Sequence, residues 1–199
     1  MDELRPALHV IAGPNGAGKT TVTRKLLASE WGAGVVYVNP DDIAQNEFGG
    51  WNDPESVRKA ADLAARRRSE ALAARRPLAF ETVFSAPDKI GFLGDAKAAD
   101  YFIRLYFIGT DGPEINAARV ARRFIEGGHD VPIPKIVTRY YKSVANAAVA
   151  APHVDRFYLY DNSTDGEDAR LVFRAADGKV TKVYGEIPAW AAAIRGALT

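Results

Sequence analysis

Short apolar runs alternate with longer segments of helical periodicity over most of the chain of 199 residues. Apolar runs of about four to eight residues between polar or glycine-rich segments are typical of buried strands. The pattern predicts strands at 8–12, 35–38, 77–81, 101–108 and 157–160. Apolar residues at helical spacing predict helices at 21–29, 54–75, 85–99, 113–126 and 132–151, the third of them broken around Gly91.

The C-terminal part of the chain follows a different pattern. Two short apolar runs, 171–174 and 180–184, flank Asp177-Gly178 and predict a β-hairpin, and 188–198 is expected to close the chain as a helix. Because strands and helices alternate before the hairpin, we expect an α/β fold with a mostly parallel sheet and helices on both faces. Without repeats, low-complexity tracts or linkers, residues 1–199 are expected to form one domain.

Composition narrows the function classes. The net charge of +1 disfavours a broad surface for nucleic acid or membrane, although it is compatible with local patches. The absence of cysteine excludes disulfides, thiolate chemistry and cysteine metal sites, and three scattered histidines do not make a metal site. Since no signal peptide and no apolar stretch of about 20 residues is recognisable, we expect a cytoplasmic protein.

A glycine-rich segment lies between the first predicted strand and the first predicted helix. Residues 13–20 fit G-x-x-x-x-G-K-S/T at every fixed position, in the strand, loop and helix context of a phosphate-binding loop. The glycines let backbone N–H groups point at phosphate oxygens, and the positive end of the helix dipole adds to the attraction. The motif predicts that Lys19 reaches the β- and γ-phosphates of a nucleoside triphosphate and that Thr20 binds Mg²⁺. The expected nucleotide-binding residues are Gly13, Pro14, Asn15, Gly16, Ala17, Gly18, Lys19, Thr20 and Thr21.

Polar side chains also follow other predicted strands, at Asn39/Asp41/Asp42, Glu81/Thr82 and Asp161/Asn162/Ser163. In open α/β sheets, ligands bind outside the carboxyl ends of the strands. A carboxylate there could accept the proton of an acceptor hydroxyl, and Asp41 and Asp42 are the candidates for this base. The alternative for this pair is that it caps a helix beginning before Ile43-Ala44. Glu81 is expected to hold substrate or Mg²⁺-bound water, with a purely structural role as the alternative.

Arginines are concentrated on two predicted helices. Arg119, Arg122 and Arg123 lie on one of them and Arg139 on the next. Residues 119 and 123 are one turn apart and share a face, whereas Arg122 points partly away. We expect two of these arginines to hold the γ-phosphate during transfer, with surface salt bridges as the alternative. The basic cluster 66–68 is interpreted as a solvated helix face.

In this order, the motifs resemble the zeta-toxin-like family of small P-loop kinases and look like its compact stand-alone branch. The resemblance runs from about Leu8 to Ser163 and implies a three-layer fold of the P-loop NTPase type. After the P-loop, it rests on Asn39-Pro40-Asp41-Asp42, Phe80-Glu81-Thr82, Arg119-Val120-x-x-Arg123, Gly127-Gly128-His129-Asp130-Val131-Pro132, Arg139-Tyr140 and Tyr160-Asp161-Asn162-Ser163.

The resemblance implies a kinase that moves the γ-phosphate of ATP, with Mg²⁺, to a hydroxyl of a small molecule. The best-known zeta toxins belong to bacterial toxin–antitoxin pairs and phosphorylate the 3′-hydroxyl of the amino sugar in UDP-N-acetylglucosamine. A nucleotide sugar is therefore the favoured acceptor and an antitoxin a candidate partner.

By the same similarity, Asp41 matches the aspartate that deprotonates the acceptor, and Arg123 and Arg139 match the arginines that hold the γ-phosphate. With Lys19, these are the expected catalytic residues. The residues assigned to the acceptor are Asp42, Glu81, Thr82 and Arg119, and the residue assigned to the nucleotide besides the P-loop is Asn162.

The chain departs from the family pattern at Val83-Phe84, where many relatives have a basic residue, and this weakens the prediction of a sugar nucleotide. Two other functions remain open. One is a regulatory ATP-binding or ATPase module that acts on a protein partner. The other is a nucleic-acid kinase, for which the net charge gives no support. His129 is predicted either to cap the preceding helix end or to line the site.

Overall fold

The computed structural model describes residues 5–50, 53–128 and 131–199. Its centre is a sheet of seven strands in the order β2-β3-β1-β4-β5-β6-β7. The strands are β1 (Ala7–Ala12), β2 (Val36–Val38), β3 (Leu78–Thr82), β4 (Phe102–Gly109), β5 (Arg156–Asp161), β6 (Arg170–Ala176) and β7 (Lys179–Val183). The first five strands pair in parallel, and the last two add to the sheet in antiparallel orientation.

Helices cover both faces of this sheet, as predicted. They are α1 (Lys19–Leu27), α2 (Pro40–Glu47), α3 (Pro54–Ala73), α4 (Asp88–Ala98), α5 (Pro113–Ile125), α6 (Ile133–Ala150) and α7 (Ala192–Gly196). Leu8 and Val10 face the core that includes α3, α4, α6 and α7. Ile11 points to the other face, where it packs with Val22 and Leu26 of α1. None of the helices in the described ranges is long and apolar enough to cross a membrane.

The parallel register brings the carboxyl ends of neighbouring strands to one edge of the sheet. Ala12, the last residue of β1, lies opposite Thr82 of β3 and Phe107 of β4. Asp161 at the end of β5 lies opposite Gly109 at the end of β4. The loops that follow these strands therefore meet at one edge, where the sequence predicts a ligand.

Three predicted elements differ from the structure. Helix α2 was not expected as an element of its own, but Asn39 caps it by accepting the N–H of Asp41 at 3.0 Å, and Pro40 occupies its first position. These are strong helix-start signals that the strand-end interpretation passed over. Helix α4 continues through Gly91, because one glycine costs a helix only about 1 kcal/mol. The predicted closing helix is a 3₁₀ turn at 189–191 followed by the short α7.

The predicted hairpin is confirmed as β6 and β7. Asp177 and Gly178 both have positive φ, 48° and 78°, as the type I′ turn of a two-residue hairpin requires. The hairpin extends the sheet sideways beyond β5, because β6 pairs with β5 on the side opposite β4. It therefore lies away from β1 and the loop that follows it.

Candidate active site

The P-loop connects the end of β1 to the start of α1, and its backbone follows a path that glycine permits. Gly16 has φ of 76° and Gly18 has φ of 89°, both in the left-handed region. A Cβ atom on Gly16 would lie 2.6 Å from the carbonyl oxygen of Asn116, which is backbone and cannot turn aside. The loop is pinned to the next strand, because the Gly13 N–H donates to the carbonyl of Thr82 at 3.2 Å. The predicted phosphate loop is thus present and closely packed from behind.

Sequence reasoning missed Asn116, which supports the loop from α5. This side chain is fully buried, and its Nδ2 donates to the carbonyl of Asn15. Its Oδ1 accepts a hydrogen bond from the Thr110 hydroxyl, and the Tyr140 hydroxyl donates to the Thr110 carbonyl at 2.6 Å. The available signal was a polar residue near Val120 on the buried face of an amphipathic helix.

Asn162 lies behind the other half of the loop. Its Nδ2 donates to the carbonyl of Ala17 at 2.8 Å, and its backbone N–H donates to the carbonyl of Gly109 at 2.9 Å. The predicted nucleotide-side residue therefore contacts the P-loop backbone directly, and Gly18 lies against its side chain.

Arg119 lies beside this loop and is not among the residues that line the cavity in front of the P-loop, which is described below. It donates to the carbonyl of Asn162 at 2.7 Å and pairs with Asp165 at 2.7 Å, and Arg122 binds the same carboxylate at 2.8 Å. The expected grouping of Arg119 with Arg123, away from Arg122, is thus not what the structure shows. Residues are about 100° apart around an α-helix, so Arg119 lies between the other two and its side chain turns towards Asp165.

Lys19 and Thr20 begin α1 at the mouth of the loop. The Lys19 Nζ donates to the carbonyls of Gly13 and Pro14 at 2.9 and 3.0 Å. Burial lowers the pKa of Lys19, while the carboxylates of Glu81 and Asp41 act in the opposite direction. The ammonium group is therefore held among backbone carbonyls, at the place where the motif requires a cation for phosphate.

Glu81, the penultimate residue of β3, is a buried carboxylate with two hydroxyl partners. Thr20 Oγ1 donates to Glu81 Oε2 at 3.3 Å, and the Tyr37 hydroxyl donates to Oε1 at 2.9 Å. Burial and the Glu81 charge raise the pKa of Tyr37, which stays a neutral donor. Hydroxyl and carboxylate oxygens suit Mg²⁺, which is usually held by one or two protein groups and the nucleotide phosphates. No cluster of three or more metal-binding His, Asp or Glu side chains occurs in the described ranges.

A cavity of about 750 Å³ opens in front of the P-loop. Asp41 from α2, Arg123 from α5 and Arg139 from α6 line it together with Glu81 and Thr82. Arg139 also donates to Asn15 Oδ1 of the P-loop at 3.3 Å. Burial lowers the pKa of Arg139, and the Asp41 carboxylate counteracts this effect. The structure therefore brings the predicted base and both predicted phosphate-binding arginines to the mouth of the P-loop.

Asp41 and Asp42 occupy the same helical turn but differ in position. Both are exposed residues of the first turn of α2, so the expected alternative of a helix start at this pair is present, but its cap is Asn39 and neither carboxylate. Asp41 lines the cavity, whereas Asp42 is not among its lining residues. Burial and the charges of Glu81 and Asp41 raise the pKa of Asp42. Geometry thus separates two residues that the strand-end pattern left as alternatives and of which the family resemblance selected Asp41 as the base.

The cavity also contains two cations that sequence reasoning did not select, Arg58 of α3 and Lys135 of α6. Each is a single charged residue on an amphipathic helix, and no local pattern distinguishes it from its charged neighbours. His129 lies outside the described residues.

A family model described as zeta toxin matches residues 1–165 of the chain. An uncharacterized protein of Haemophilus influenzae (strain ATCC 51907 / DSM 11121 / KW20 / Rd) is 29% identical over 133 residues, which cover 64% of this chain and 88% of that protein.

Solved structures share the fold. The AvrRxo1-ORF1:AvrRxo1-ORF2 crystal structure with sulphate ions gives a TM-score of 0.70 at 20% identity and covers 90% of this chain and 61% of that chain. The AvrRxo1-ORF1:-ORF2 structure with ATP gives 0.67 at 19% identity, over 98% and 76% of the two chains. The PezAT chromosomal toxin–antitoxin system of Streptococcus pneumoniae gives 0.61 at 19% identity, over 87% and 73%.

Proposed function

The chain belongs to the zeta toxin family, and on that premise we propose that it is an ATP-dependent kinase acting on a hydroxyl of a small molecule. The observation that carries the proposal is one cavity that both P-loop residues and Asp41 line. A carboxylate facing the γ-phosphate position is what a kinase needs and a simple nucleotide-binding module does not. The solved AvrRxo1-ORF1:-ORF2 structure with ATP supports ATP as the nucleotide.

In this proposal the side chains divide the reaction between them. The P-loop N–H groups and Lys19 hold the β- and γ-phosphates, and Arg123 and Arg139 stabilise the charge on the transferring phosphoryl group. Asp41 accepts the proton of the acceptor hydroxyl. The hydroxyl oxygen of the acceptor bonds to the γ-phosphorus, and the bond between that phosphorus and the oxygen that bridges it to the β-phosphate breaks. ADP leaves with the bridging oxygen. Thr20 and Glu81 would hold Mg²⁺, which would supply positive charge to neutralise the phosphates.

We propose UDP-N-acetylglucosamine as the first acceptor to test, because the family resemblance favours a nucleotide sugar. The cavity volume of about 750 Å³ lies within the range of small-molecule sites. An antitoxin is the proposed protein partner, in line with the toxin–antitoxin system named for PezAT. We further propose that residues 1–199 act as one domain, since one sheet runs from β1 to β7, and that the protein works in the cytoplasm.

The test is a transfer assay with γ-labelled ATP and Mg²⁺ against UDP-sugars, nucleosides and short RNAs, with products identified by mass spectrometry. Lys19→Ala is the control, and it should lower transfer about 10²–10³-fold because it removes a charge from the developing transition state. Circular dichroism should show an unchanged fold.

Labelled UDP-N-acetylglucosamine would support both the kinase and its acceptor, and label on another small molecule would retain the kinase and replace the acceptor. Label on RNA alone would favour a nucleic-acid kinase. ATP binding without a labelled product from any acceptor would contradict the kinase proposal and favour a regulatory nucleotide-binding module.

A further inference from the structure

Tyr140 directly follows Arg139 on α6, and the proposed reaction assigns it no task. Its side chain is 3% exposed, and its hydroxyl donates to the carbonyl of Thr110 at 2.6 Å. Arg139, by contrast, is only partly buried and lines the cavity. One residue of the helix thus reaches the site, and the next residue anchors the helix in the interior.

The anchor of Tyr140 continues towards the P-loop through two fully buried residues, Thr110 and Asn116. The Thr110 hydroxyl donates to Oδ1 of Asn116, and Gly112 offers its carbonyl at 3.2 Å as a second acceptor. The Asn116 Nδ2 donates to the carbonyl of Asn15 in the P-loop. Buried hydrogen-bonded networks rigidify the parts that they join. Tyr140 is therefore linked to the P-loop by side chains that have little freedom to move.

Asn15 closes this path on α6. While its carbonyl accepts from Asn116, its Oδ1 accepts from Nη1 of Arg139 at 3.3 Å. The hydrogen-bonded path therefore leaves α6 at Tyr140 and returns to the helix at the neighbouring residue. The last bond is longer than the usual N–H···O distance of about 2.9–3.0 Å, so it holds the guanidinium only weakly by itself. The position of α6, which the Tyr140 hydroxyl fixes, supplies the rest.

Neighbouring charges work against the place of Arg139 at the P-loop. Burial lowers the pKa of Lys19, and the charges of Arg123 and Arg139 lower it further. Burial also lowers the pKa of Arg139 itself, and the nearby carboxylates offset only part of these effects. The three cations therefore repel one another, and Arg139 gives up part of its hydration at this position. Contacts other than charge have to hold the guanidinium there, and the path from Tyr140 provides them.

We propose that Tyr140 is a positioning residue, whose hydroxyl sets the Arg139 guanidinium at the place of the γ-phosphate through Thr110, Asn116 and Asn15. The inference rests on the proposed function and adds to it a residue that does not line the cavity. A misplacement of about 1 Å can reduce catalysis about 10²-fold, so even a small shift of α6 matters. Because the path depends on a hydroxyl, the aromatic ring alone should not replace it.

Nucleotide affinities of the full chain test this inference without any acceptor. AMP-PNP and ADP, each with Mg²⁺, differ by the terminal phosphoryl group that Arg139 is proposed to hold. In calorimetric titrations, Tyr140→Phe should lower the ratio of AMP-PNP affinity to ADP affinity about fivefold, the effect of about one lost hydrogen bond. The ADP affinity should stay within about twofold of wild type, because the bond from Asn116 to the P-loop is retained.

Two further variants show whether Tyr140 acts through Arg139. Arg139→Gln should itself lower the affinity ratio, and adding Tyr140→Phe should change the ratio by less than about twofold, because the group to be positioned is gone. Asn15→Ala interrupts the path at its other end and should lower the ratio about as much as Tyr140→Phe does. It keeps the inference testable if the Tyr140 variant is unstable.

The matched control is Tyr101→Phe. Tyr101 is also buried, and its hydroxyl donates to the carbonyls of Ala71 and Arg76 at 3.0 and 2.9 Å. Tyr101 precedes the first residue of β4, whereas Thr110 follows the last, so the control lies at the other end of the strand. Tyr101→Phe should lower the urea midpoint as Tyr140→Phe does, and it should leave the affinity ratio unchanged.

An unchanged ratio in a folded Tyr140→Phe or Asn15→Ala protein would overturn the inference. A further fivefold fall on top of Arg139→Gln would do the same, as would an equal fall in Tyr101→Phe, since the effect would then be one of general stability. If wild type binds neither nucleotide, the proposed function is contradicted and the inference falls with it. If wild type binds both and transfers phosphate to no acceptor, the kinase proposal fails, while the titrations still decide the role of Tyr140.

Discussion

On the P-loop wall of the cavity, to which the segment 13–20 contributes, the backbone is held from behind by the buried Asn116 and the half-buried Asn162. Asn116 and Asn162 donate to its carbonyl oxygens, and the close approach of α5 leaves no room for a side chain at Gly16. On the helical wall, formed by Asp41, Arg58, Arg123 and Lys135, all four side chains are exposed. Their positions come from the starts of α2, α3 and α6 and the end of α5.

This difference separates two tasks. The hydrogen bonds from Asn116 and Asn162 fix the P-loop backbone. A fixed backbone suits the donor, because a nucleoside triphosphate presents the same phosphates to every kinase that uses it. Exposed side chains at helix ends can change without disturbing the core, since surface substitutions usually alter stability by less than about 0.5 kcal/mol. We infer that the P-loop wall determines the donor and that the helical wall determines the acceptor, except at Arg123, which is proposed to bind the γ-phosphate of the donor.

The largest expected effect is the loss of phosphoryl transfer in Asp41→Asn, a variant on the helical wall. Asparagine keeps the shape but cannot accept the proton, so transfer should fall by about 10²–10⁴-fold. ATP affinity and the unfolding midpoint should change little, because Asp41 is exposed. The measurement is the initial rate of label transfer, with Asp42→Asn as the matched control. Wild-type turnover by Asp41→Asn, or loss of turnover in the control alone, would move the role of base away from Asp41.

The second prediction compares the two walls by stability. Asn116→Ala should lower the free energy of unfolding by about 1–3 kcal/mol, because it removes the Asn116 donor to the Asn15 carbonyl and leaves the buried Thr110 hydroxyl only its bond to the Gly112 carbonyl at 3.2 Å. It should also weaken AMP-PNP binding, since the P-loop loses its support. Lys135→Ala on the helical wall should change stability by less than about 0.5 kcal/mol. Urea unfolding measures both, and equal losses would remove the distinction between the walls.

The same contrast explains what the sequence could predict. The P-loop was recognisable because its function depends on local backbone geometry, which fixed glycines and a lysine at fixed spacing encode. The parallel sheet followed from the alternation of short apolar runs with segments of helical periodicity. These features are properties of short segments, so they can be predicted without any knowledge of tertiary contacts.

The features that the sequence did not predict depend on contacts between distant segments. Asn116 supports a loop 101 residues away, and nothing near it in the chain indicates that partner. Arg119 turns towards Asp165, which lies 46 residues further along the chain, rather than into the cavity. Helix α2 is the exception, because its start is encoded locally by Asn39 and Pro40. These residues were interpreted instead as the polar end of the apolar strand before them.

The smallest expected effect concerns Asp42, the neighbour of the proposed base. Burial and the charges of Glu81 and Asp41 raise the pKa of Asp42 above its ordinary value of 3.8. The native state therefore holds this proton to higher pH than the unfolded chain does, and folding loses stability as the pH rises through that interval. Asp42→Asn should remove this loss.

Relative to wild type, the Asp42→Asn variant should gain stability between about pH 4 and pH 7. The gain should stay below about 1 kcal/mol, because Asp42 is exposed and a carboxylate at a helix start is partly stabilised by the dipole. Urea midpoints measured from pH 3.5 to 7 would show the difference growing with pH. If the difference in urea midpoint between the two proteins does not change with pH, the charge of Asp42 is already compensated in the folded state. Asp41 would then be distinguished from Asp42 only by its position at the cavity.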